Sequence, residues 1–392
     1  MRLYVHWPFC LSRCSYCDFN TRVAGVEVMQ RYRVSLLQEA RAWSRILPQE
    51  KRPLQSLYLG GGTPSTLRGE EVAGLVGEAA AIFGILEPAE VTVEVNPATW
   101  SYNDFARARA GGVNRFSIGV QSTQDEVLRL LGRAHDGDAA KRAVREVLRC
   151  GASSVSVDLL YGLPGEGGGS WRRSLMEMLD MEVHHISLYA LTLADRTPMS
   201  RMVARGEVAL PGDDEVADEY MEASTVMEEA GYRRYEISNF SLPGYQCRHN
   251  LAYWRREEYL GIGAGAHSLL QRCRFNNTPS LLAYLRMIRG GELALEKHHT
   301  LERSEELEEE IMLGLRTSQG IAEGLLEKAH DRMIDLRRGG LLEAEGGRVN
   351  LTARGMLVSN AVITELLIGD DAETDALDGR SRLRQSKYSV AL

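Results

Sequence analysis

Phe9-Cys10-Leu11-Ser12-Arg13-Cys14-Ser15-Tyr16-Cys17 is the stretch that decides the fold, and it follows directly after a predicted first β-strand. Its C-x3-C-x2-C spacing supplies three thiolates to a metal centre, whereas a closed structural zinc site takes four protein ligands. Iron–sulfur clusters are held by cysteine thiolates at spacings of this kind. The triplet therefore predicts a cubane cluster with one iron left open. A zinc site completed by a distant ligand, or three unrelated buried thiols, are the alternatives.

The remaining composition is typical of a soluble protein in a reducing compartment. The chain has 392 residues, of which 44% are hydrophobic, and this is long enough for two domains. Only Cys150, Cys247 and Cys273 lie outside the triplet, which argues against a secreted disulfide framework. No signal peptide and no apolar run of about 20 residues is present. With a net charge of −8, we expect a cytoplasmic protein with no nucleic-acid partner and no integral membrane segment.

Short β-rich runs alternate with helical periodicity in the first half of the chain. The predicted strands are Leu3 to Trp7, Ser56 to Leu59, Val91 to Val95, Asn114 to Val120, Ser154 to Leu160 and His185 to Leu191. The predicted helices between them include Val28 to Arg45, Glu70 to Phe83, Ala139 to Cys150 and Ser170 to Leu179. This α/β alternation predicts a parallel sheet, which binds ligands beyond the carboxyl ends of its strands. We expect a partial (β/α)6 TIM-type barrel.

The chain divides into four predicted segments. Residues 1–211 form the barrel, and residues 212–300 complete it. Residues 301–368 form a small winged-helix-like α+β domain, because Gly346-Gly347 marks a hairpin turn between two helical regions. Five glutamates between Glu305 and Glu310 weigh against DNA binding, so protein docking remains open for this domain. Residues 369–392 are predicted to be a disordered tail.

Further motifs resemble the radical S-adenosylmethionine (SAM) superfamily and, within it, the oxygen-independent coproporphyrinogen III oxidase-like family. They occur in family order as Gly60-Gly61-Gly62-Thr63-Pro64, Thr92 to Pro97, Asn114 to Ser122, Gly132 to His135 and Asp158 to Gly165. The match runs from residue 1 to about residue 368. The resemblance implies a [4Fe–4S] cluster on Cys10, Cys14 and Cys17, with SAM chelating the open iron.

The same resemblance implies a set of SAM contacts. These are Tyr4, Tyr16, Gly61, Gly62, Thr63, Glu94, Gln121, Arg133, Asp158 and Ala190. Tyr16 would pack beside the adenine, and Arg133 would pair with the SAM carboxylate. Taken without the family, the glycines favour a tight strand-to-helix turn, and each polar side chain is equally plausible as a structural ion pair or cap.

One motif, His249-Asn250-Leu251-Ala252-Tyr253-Trp254, resembles the His-Asn-x2-Tyr-Trp motif of the haem chaperone HemW subgroup. Imidazole is a good axial ligand for haem iron. A loop histidine with a structural role is the alternative. Cys247 and His267 are weaker candidates for the same ligand role. The resemblance therefore implies haem binding at His249.

The subgroup implies a haem chaperone that delivers haem to an unknown acceptor protein. The alternative is an oxygen-independent coproporphyrinogen III oxidase. Such enzymes carry a fourth cysteine two residues after the third, where this chain has Phe19, and an amino-terminal extension that is absent before Met1. We therefore expect no efficient coproporphyrinogen decarboxylation.

Overall fold

The computed structural model describes residues 1–164 and 169–368. The predicted disordered tail and the end of the Asp158 to Gly165 motif lie outside these residues. The chain divides into two compact units, Met1–Leu301 and a second unit that begins at Glu302.

Fifteen strands and fourteen α-helices make up the described residues. The strands are β1 Arg2–Trp7, β2 Leu54–Gly61, β3 Ile85–Val95, β4 Arg115–Gln121, β5 Ser154–Tyr161, β6 His185–Ala190, β7 Arg233–Arg234, β8 Asn239–Ser241, β9 Tyr259–Ile262, β10 His267–Leu270, β11 Cys273–Asn277, β12 Leu295–Thr300, β13 Ile321–Ala322, β14 Leu342–Glu345 and β15 Arg348–Leu351. The helices are α1 Val26–Ile46, α2 Gly69–Phe83, α3 Tyr102–Ala110, α4 Asp125–Leu130, α5 Gly137–Arg149, α6 Ser170–Leu179, α7 Pro198–Ala204, α8 Asp213–Glu229, α9 Arg248–Trp254, α10 Leu281–Arg289, α11 Arg303–Gly314, α12 His330–Arg338, α13 Ala353–Leu357 and α14 Ser359–Leu367.

A twelve-stranded sheet forms the first unit, in the order β12-β11-β10-β9-β1-β2-β3-β4-β5-β6-β8-β7. Strands β9 and β1 to β6 are parallel, whereas β10 to β12 on one side and β7 and β8 on the other are antiparallel. The two ends of the sheet do not pair with each other. The α/β fold is therefore a partial TIM-type barrel, as the sequence predicts.

The two faces of the barrel strands differ in chemistry. Outward-facing residues such as Leu57, Val93 and Ile118 join one apolar core with the surrounding helices. Inward-facing residues at alternate positions are polar, as in Tyr58 and Glu94, because side chains alternate along a strand. We call the interior space lined by the inward-facing residues of β1 to β6 the lumen. Its ends are the mouth, at the carboxyl ends of β1 to β6, and the base, at their amino ends.

The predicted strands are all present, with bounds shifted by a few residues. Two helices that follow β3 and β4, α3 and α4, are absent from the prediction. The region from 212 onward looks irregular in sequence because β7 to β11 are only two to five residues long.

The second unit contains a three-stranded sheet in the order β13-β15-β14. The hairpin of β14 and β15 turns at Gly346 and Gly347, and both glycines have positive φ. The helical region after β15 is divided into α13 and α14 at Val358. In the described residues, no helix has both the length and the apolarity that are needed to cross a membrane.

Candidate functional site

Cys10, Cys14 and Cys17 lie in the loop between β1 and α1, at the mouth of the barrel. All three are free thiols of intermediate exposure. Residues that are distant in sequence fix the loop at Ser15. Its N–H donates to the Leu131 carbonyl at 3.0 Å and its hydroxyl to the Leu130 carbonyl at 2.9 Å. The N–H of Met199, in α7, donates to the Ser15 carbonyl at 2.9 Å.

Partial burial makes thiolate formation at Cys10 and Cys17 less favourable than in water. Burial raises the pKa of Cys10 and of Cys17, and the neighbouring Cys14 raises both further. A metal would therefore displace protons on binding. Arg133 Nη1 lies 3.5 Å from Cys14 Sγ.

The donor set of this loop consists of three thiols, the ligand type that iron–sulfur clusters use. Among the described residues, no three His, Cys, Asp or Glu side chains converge closely enough to hold a single metal ion. A zinc ion bonds every ligand at about 2.0–2.3 Å from one centre. The cysteines of a four-iron cluster instead bind different irons.

The glycine run after β2 packs against the end of β1. A Cβ on Gly61, where φ is 111°, would lie 2.4 Å from the His6 ring, and one on Gly62 would lie 2.8 Å from the carbonyls of Trp7 and Phe9. The side chain of Thr63 is buried and hydrogen-bonds the Cys10 thiol. The glycines are therefore required by the close approach of these two backbone segments.

Glu94 is the central carboxylate of the mouth. It accepts hydrogen bonds from the Tyr58 hydroxyl at 2.8 Å, on Oε1, and from the Gly61 N–H at 2.9 Å, on Oε2. Burial raises the pKa of Glu94 to about 7, although both hydrogen bonds act in the opposite direction. A cationic group placed beside it would favour the carboxylate form.

Three further candidates line the same space. Asp158 accepts from the Ser117 hydroxyl at 3.2 Å, and burial raises the pKa of Asp158. Arg133 donates to the Gly119 carbonyl at 2.7 Å, while its buried Nε has no hydrogen-bond partner among the described residues. Gln121 has φ of 65°, a conformation that is uncommon outside glycine and that clusters at functional sites. Arg133 thus retains a donor for an anionic ligand.

The remaining candidates occupy the apolar side of the mouth and the middle of the lumen. Tyr16 packs against a small cluster of buried residues, Val127, Leu131, Leu160, Leu163 and Met199. Ala190, the last residue of β6, is exposed. Tyr4 lies deeper, and its hydroxyl is 3.0 Å from His6 Nδ1. The chain therefore offers an apolar wall beside the polar groups, which suits a nucleoside.

His249 lies at the base, on α9 and not in a loop. Its side chain is only 1% exposed. Nδ1 is 2.8 Å from the Ser56 hydroxyl and Nε2 is 2.8 Å from the Tyr253 hydroxyl, so both ring nitrogens are hydrogen-bonded. The Tyr58 ring lies alongside, with centroids 5.3 Å apart. Burial lowers the pKa of His249 to about 3, which keeps the imidazole neutral.

Glu90 holds the start of α9 in place. Its carboxylate accepts from the N–H of Arg248 at 2.9 Å and from the N–H of His249 at 2.8 Å. Cys247 Sγ lies 3.4 Å from the same carboxylate, and burial raises the pKa of Cys247 to about 12. A thiol in this state is a poor metal ligand. The other weak candidate, His267, is exposed at the start of β10.

The sequence motif includes Tyr253, but sequence reasoning missed the other residues that surround His249. Tyr253 lies four residues after His249, a spacing that places two side chains on one helix face. Ser56 and Glu90 lie 193 and 159 residues away along the chain, and nothing local marks them. Tyr58 alternates with Ser56 on the inward face of β2, so the strand pattern could have indicated it.

Comparisons with known proteins agree with this geometry. The Radical SAM superfamily model matches residues 4–177. The chain is 37% identical over 371 residues to the heme chaperone HemW of Mycobacterium tuberculosis strain H37Rv, covering 93% of this chain and 94% of that protein. It belongs to the HemW family of radical SAM proteins. The HemW of Bacillus subtilis is 31% identical over 93% of this chain and 98% of its own length.

Relatives of this family extend to eukaryotes. The mitochondrial radical S-adenosyl methionine domain-containing protein 1 of Danio rerio is 35% identical over 91% of this chain and 83% of its own. Coproporphyrinogen III oxidase HemN from Escherichia coli has a solved structure with a TM-score of 0.79 at 23% identity, covering 93% of this chain and 89% of that one. At this identity, the likeness shows the fold alone.

Proposed function

We propose that this protein is a haem chaperone, which binds haem through His249 and delivers it to an acceptor protein in the cytoplasm. The observation that carries the proposal is the state of His249: a neutral imidazole whose two nitrogens are held by separate hydroxyl groups. Histidines that ligate metals commonly make a hydrogen bond through the other ring nitrogen, which orients the ring. Ser56 supplies that hydrogen bond here. The relatives named heme chaperone HemW support the same function.

The mouth would hold the cofactors of this scaffold. Cys10, Cys14 and Cys17 would bind the [4Fe–4S] cluster, and the lumen groups beside them would bind SAM. Such a cluster supplies single electrons to SAM when both are bound. Arg133, with its unpartnered Nε, is suited to the SAM carboxylate, and Glu94 to the ammonium group. Tyr16 and its apolar neighbours would exclude water from the adenine side.

The enzyme alternative, decarboxylation of coproporphyrinogen III, has weaker support. The candidate SAM residues gather at the mouth, which either function could use. Phe19, where a fourth cysteine would be needed, is 53% exposed and offers no metal-binding atom. The relatives from Mycobacterium tuberculosis and Bacillus subtilis carry the name of a chaperone.

A haemin titration tests the proposal. Wild-type protein should give a saturable Soret band, and His249→Ala should lose most of the affinity because the axial ligand is missing. His298→Ala removes an exposed histidine from β12 and is the matched control, which should bind as wild type does. A band that is unchanged in His249→Ala would contradict ligation at His249, and the absence of any saturable band would contradict haem binding altogether.

Delivery needs a second measurement. Haem-loaded protein is mixed with a haem-free acceptor, and the loss of the donor spectrum is followed together with the gain in the acceptor. Transfer that is no faster than release of haem into buffer would contradict a chaperone function, while leaving haem binding intact.

A further inference from the structure

Haem ligation by His249 requires a change in the structure described above. Nε2, the nitrogen that points away from Ser56, is hydrogen-bonded to the Tyr253 hydroxyl at 2.8 Å. An iron atom bound at Nε2 would need that same position. His249 is also nearly inaccessible, at 1% exposure. In the haem-free protein, His249 Nε2 is therefore inaccessible to a haem iron.

Tyr253 lies one helical turn after His249 on α9. It is partly exposed, unlike His249, and it lies within electrostatic range of the lumen groups Tyr4 and Glu94. Its ring meets the imidazole edge-on, at an interplanar angle of 84° and a centroid distance of 5.0 Å. On its other side it meets the Tyr259 ring at 4.5 Å. An aromatic side chain on a helix can change rotamer without unfolding the helix.

We propose that Tyr253 is a gate: its hydroxyl occupies Nε2 of His249 in the haem-free protein and withdraws when haem arrives from the lumen, while Ser56 keeps the ring oriented. This inference rests on the proposed function. The required tautomer carries the ring proton on Nδ1, which donates to the Ser56 hydroxyl. Nε2 then accepts from Tyr253 in the closed state and binds iron in the open state. One tautomer serves both states, so opening needs no proton transfer.

The gate has a thermodynamic consequence. Haem must replace the Tyr253 hydrogen bond, so the gate weakens haem affinity by the net value of that bond. A hydrogen bond contributes roughly 0.5–1.5 kcal/mol, which corresponds to about two- to tenfold in affinity. The Tyr253 hydroxyl can also form its hydrogen bond with Nε2 again as haem leaves. A carrier that must release its cargo gains from both effects.

The test compares haemin titrations of wild type and Tyr253→Phe. Removing the hydroxyl keeps the ring but leaves Nε2 free, so haem affinity should rise about two- to tenfold with an unchanged Soret position, because the iron ligand is the same. Tyr161→Phe, which removes a hydroxyl from a ring packed on Tyr220 outside the lumen, is the matched control and should leave affinity unchanged. Equal or weaker affinity in Tyr253→Phe, or a shifted Soret band, would overturn the gate.

Two further variants make the result independent of folding. In the double variant His249→Ala/Tyr253→Phe, the gain must disappear, since there is no nitrogen left to protect. A gain that persists would show that Tyr253 acts elsewhere and would overturn the gate. Ser56→Thr keeps a hydroxyl and should bind haem as wild type does, whereas Ser56→Ala should bind several-fold more weakly. Equal affinity in these two variants would overturn the orienting role of Ser56. A wild-type protein that binds no haemin would instead defeat the proposed function.

Discussion

The candidate metal-binding side chains at the mouth and at the base of the barrel differ in accessibility and in hydrogen bonding. At the mouth, three thiols are half-buried and Arg133 keeps a buried donor without a partner among the described residues. At the base, His249 is fully enclosed and both of its ring nitrogens are hydrogen-bonded. The mouth can take up a group from solution as it stands, whereas the base must open first. The two groups of candidate ligands in one lumen therefore differ in accessibility.

The largest expected effect separates the two sites completely. Cys14→Ser should abolish assembly of the iron–sulfur cluster, because one of three thiolates is lost, while haemin still binds at the base. Iron and sulfide content after anaerobic reconstitution, followed by a haemin titration, measures both. Cys273→Ser, on β11, is the control and should keep the cluster. A loss of haem affinity in Cys14→Ser would contradict this prediction, because haem binding would then require the cluster.

A smaller effect is expected on SAM affinity when the side chain proposed to bind the SAM carboxylate is changed. Arg133→Gln should weaken SAM binding about ten- to hundredfold, since a charge-assisted hydrogen bond contributes roughly 1.5–3 kcal/mol. Equilibrium dialysis with labelled SAM on cluster-loaded protein measures the change. Arg129→Gln, an exposed arginine in the last turn of α4, should bind SAM normally. Equal losses in the two variants would indicate a general charge effect and remove Arg133 from the site.

Low pH should decrease the free energy of unfolding, because His249 is buried in its neutral form. Its pKa is about 3 in the folded protein, against about 6.5 in an unfolded chain, so only the unfolded state takes up the proton between these values. The stability it contributes is present above pH 6.5 and is lost as pH falls towards 3. From pH 7 to pH 5 the loss is about 2 kcal/mol.

Denaturation at the two pH values measures this loss. The free energy of unfolding of His249→Gln should fall by about 2 kcal/mol less than that of wild type. Burial raises the pKa of Glu94, which acts with the opposite sign, but this carboxylate is common to both proteins and cancels in the difference. His298→Gln should track wild type. An equal fall in His249→Gln would show that this histidine is not enclosed.

The smallest expected effect concerns the connection between the two sites. Tyr58 donates to Glu94 at 2.8 Å and its ring lies against His249, so it contacts both candidate ligand groups. The SAM ammonium beside Glu94 would keep that carboxylate ionised, which strengthens the Tyr58 hydrogen bond and holds the ring against His249. SAM should therefore weaken haemin affinity by about fivefold at pH 6.5.

Tyr58→Phe keeps the ring and removes the link. Haemin titrations with and without SAM should then give the same affinity, whereas Tyr161→Phe should retain the SAM effect of wild type. A SAM effect of equal size in Tyr58→Phe would place the connection elsewhere or deny it.

The sequence predicts the mouth well and the base poorly, for a physical reason. Parallel strands bring their carboxyl ends to one edge, so motifs after successive strands, such as Gly61 and Gln121, could be placed together before the structure was known. The base is formed by α9, a seven-residue helix, packed against the middle of β2 and β3. A helix of seven residues is too short for its periodicity to be recognised in the sequence. The contact between His249 and Ser56, which lie 193 residues apart, has no local sequence signal either. The motif predicts that His249 is a haem ligand, but only the packing in the structure shows that its side chain is buried.

The apolar core of the barrel lies outside the strands and its polar groups lie inside them. The contacts that stabilise the fold are therefore separate from the polar groups of the candidate site. Burial of residues such as Leu57 and Val93 against the helices supplies the driving force for folding. The lumen contributes little of it. Side chains that face inward can therefore be exchanged with small penalties to the shell, provided that each polar atom finds a partner. The apolar contacts that stabilise the barrel and the polar groups of the lumen therefore lie on opposite faces of the same strands, so a substitution on one face leaves the contacts of the other face in place.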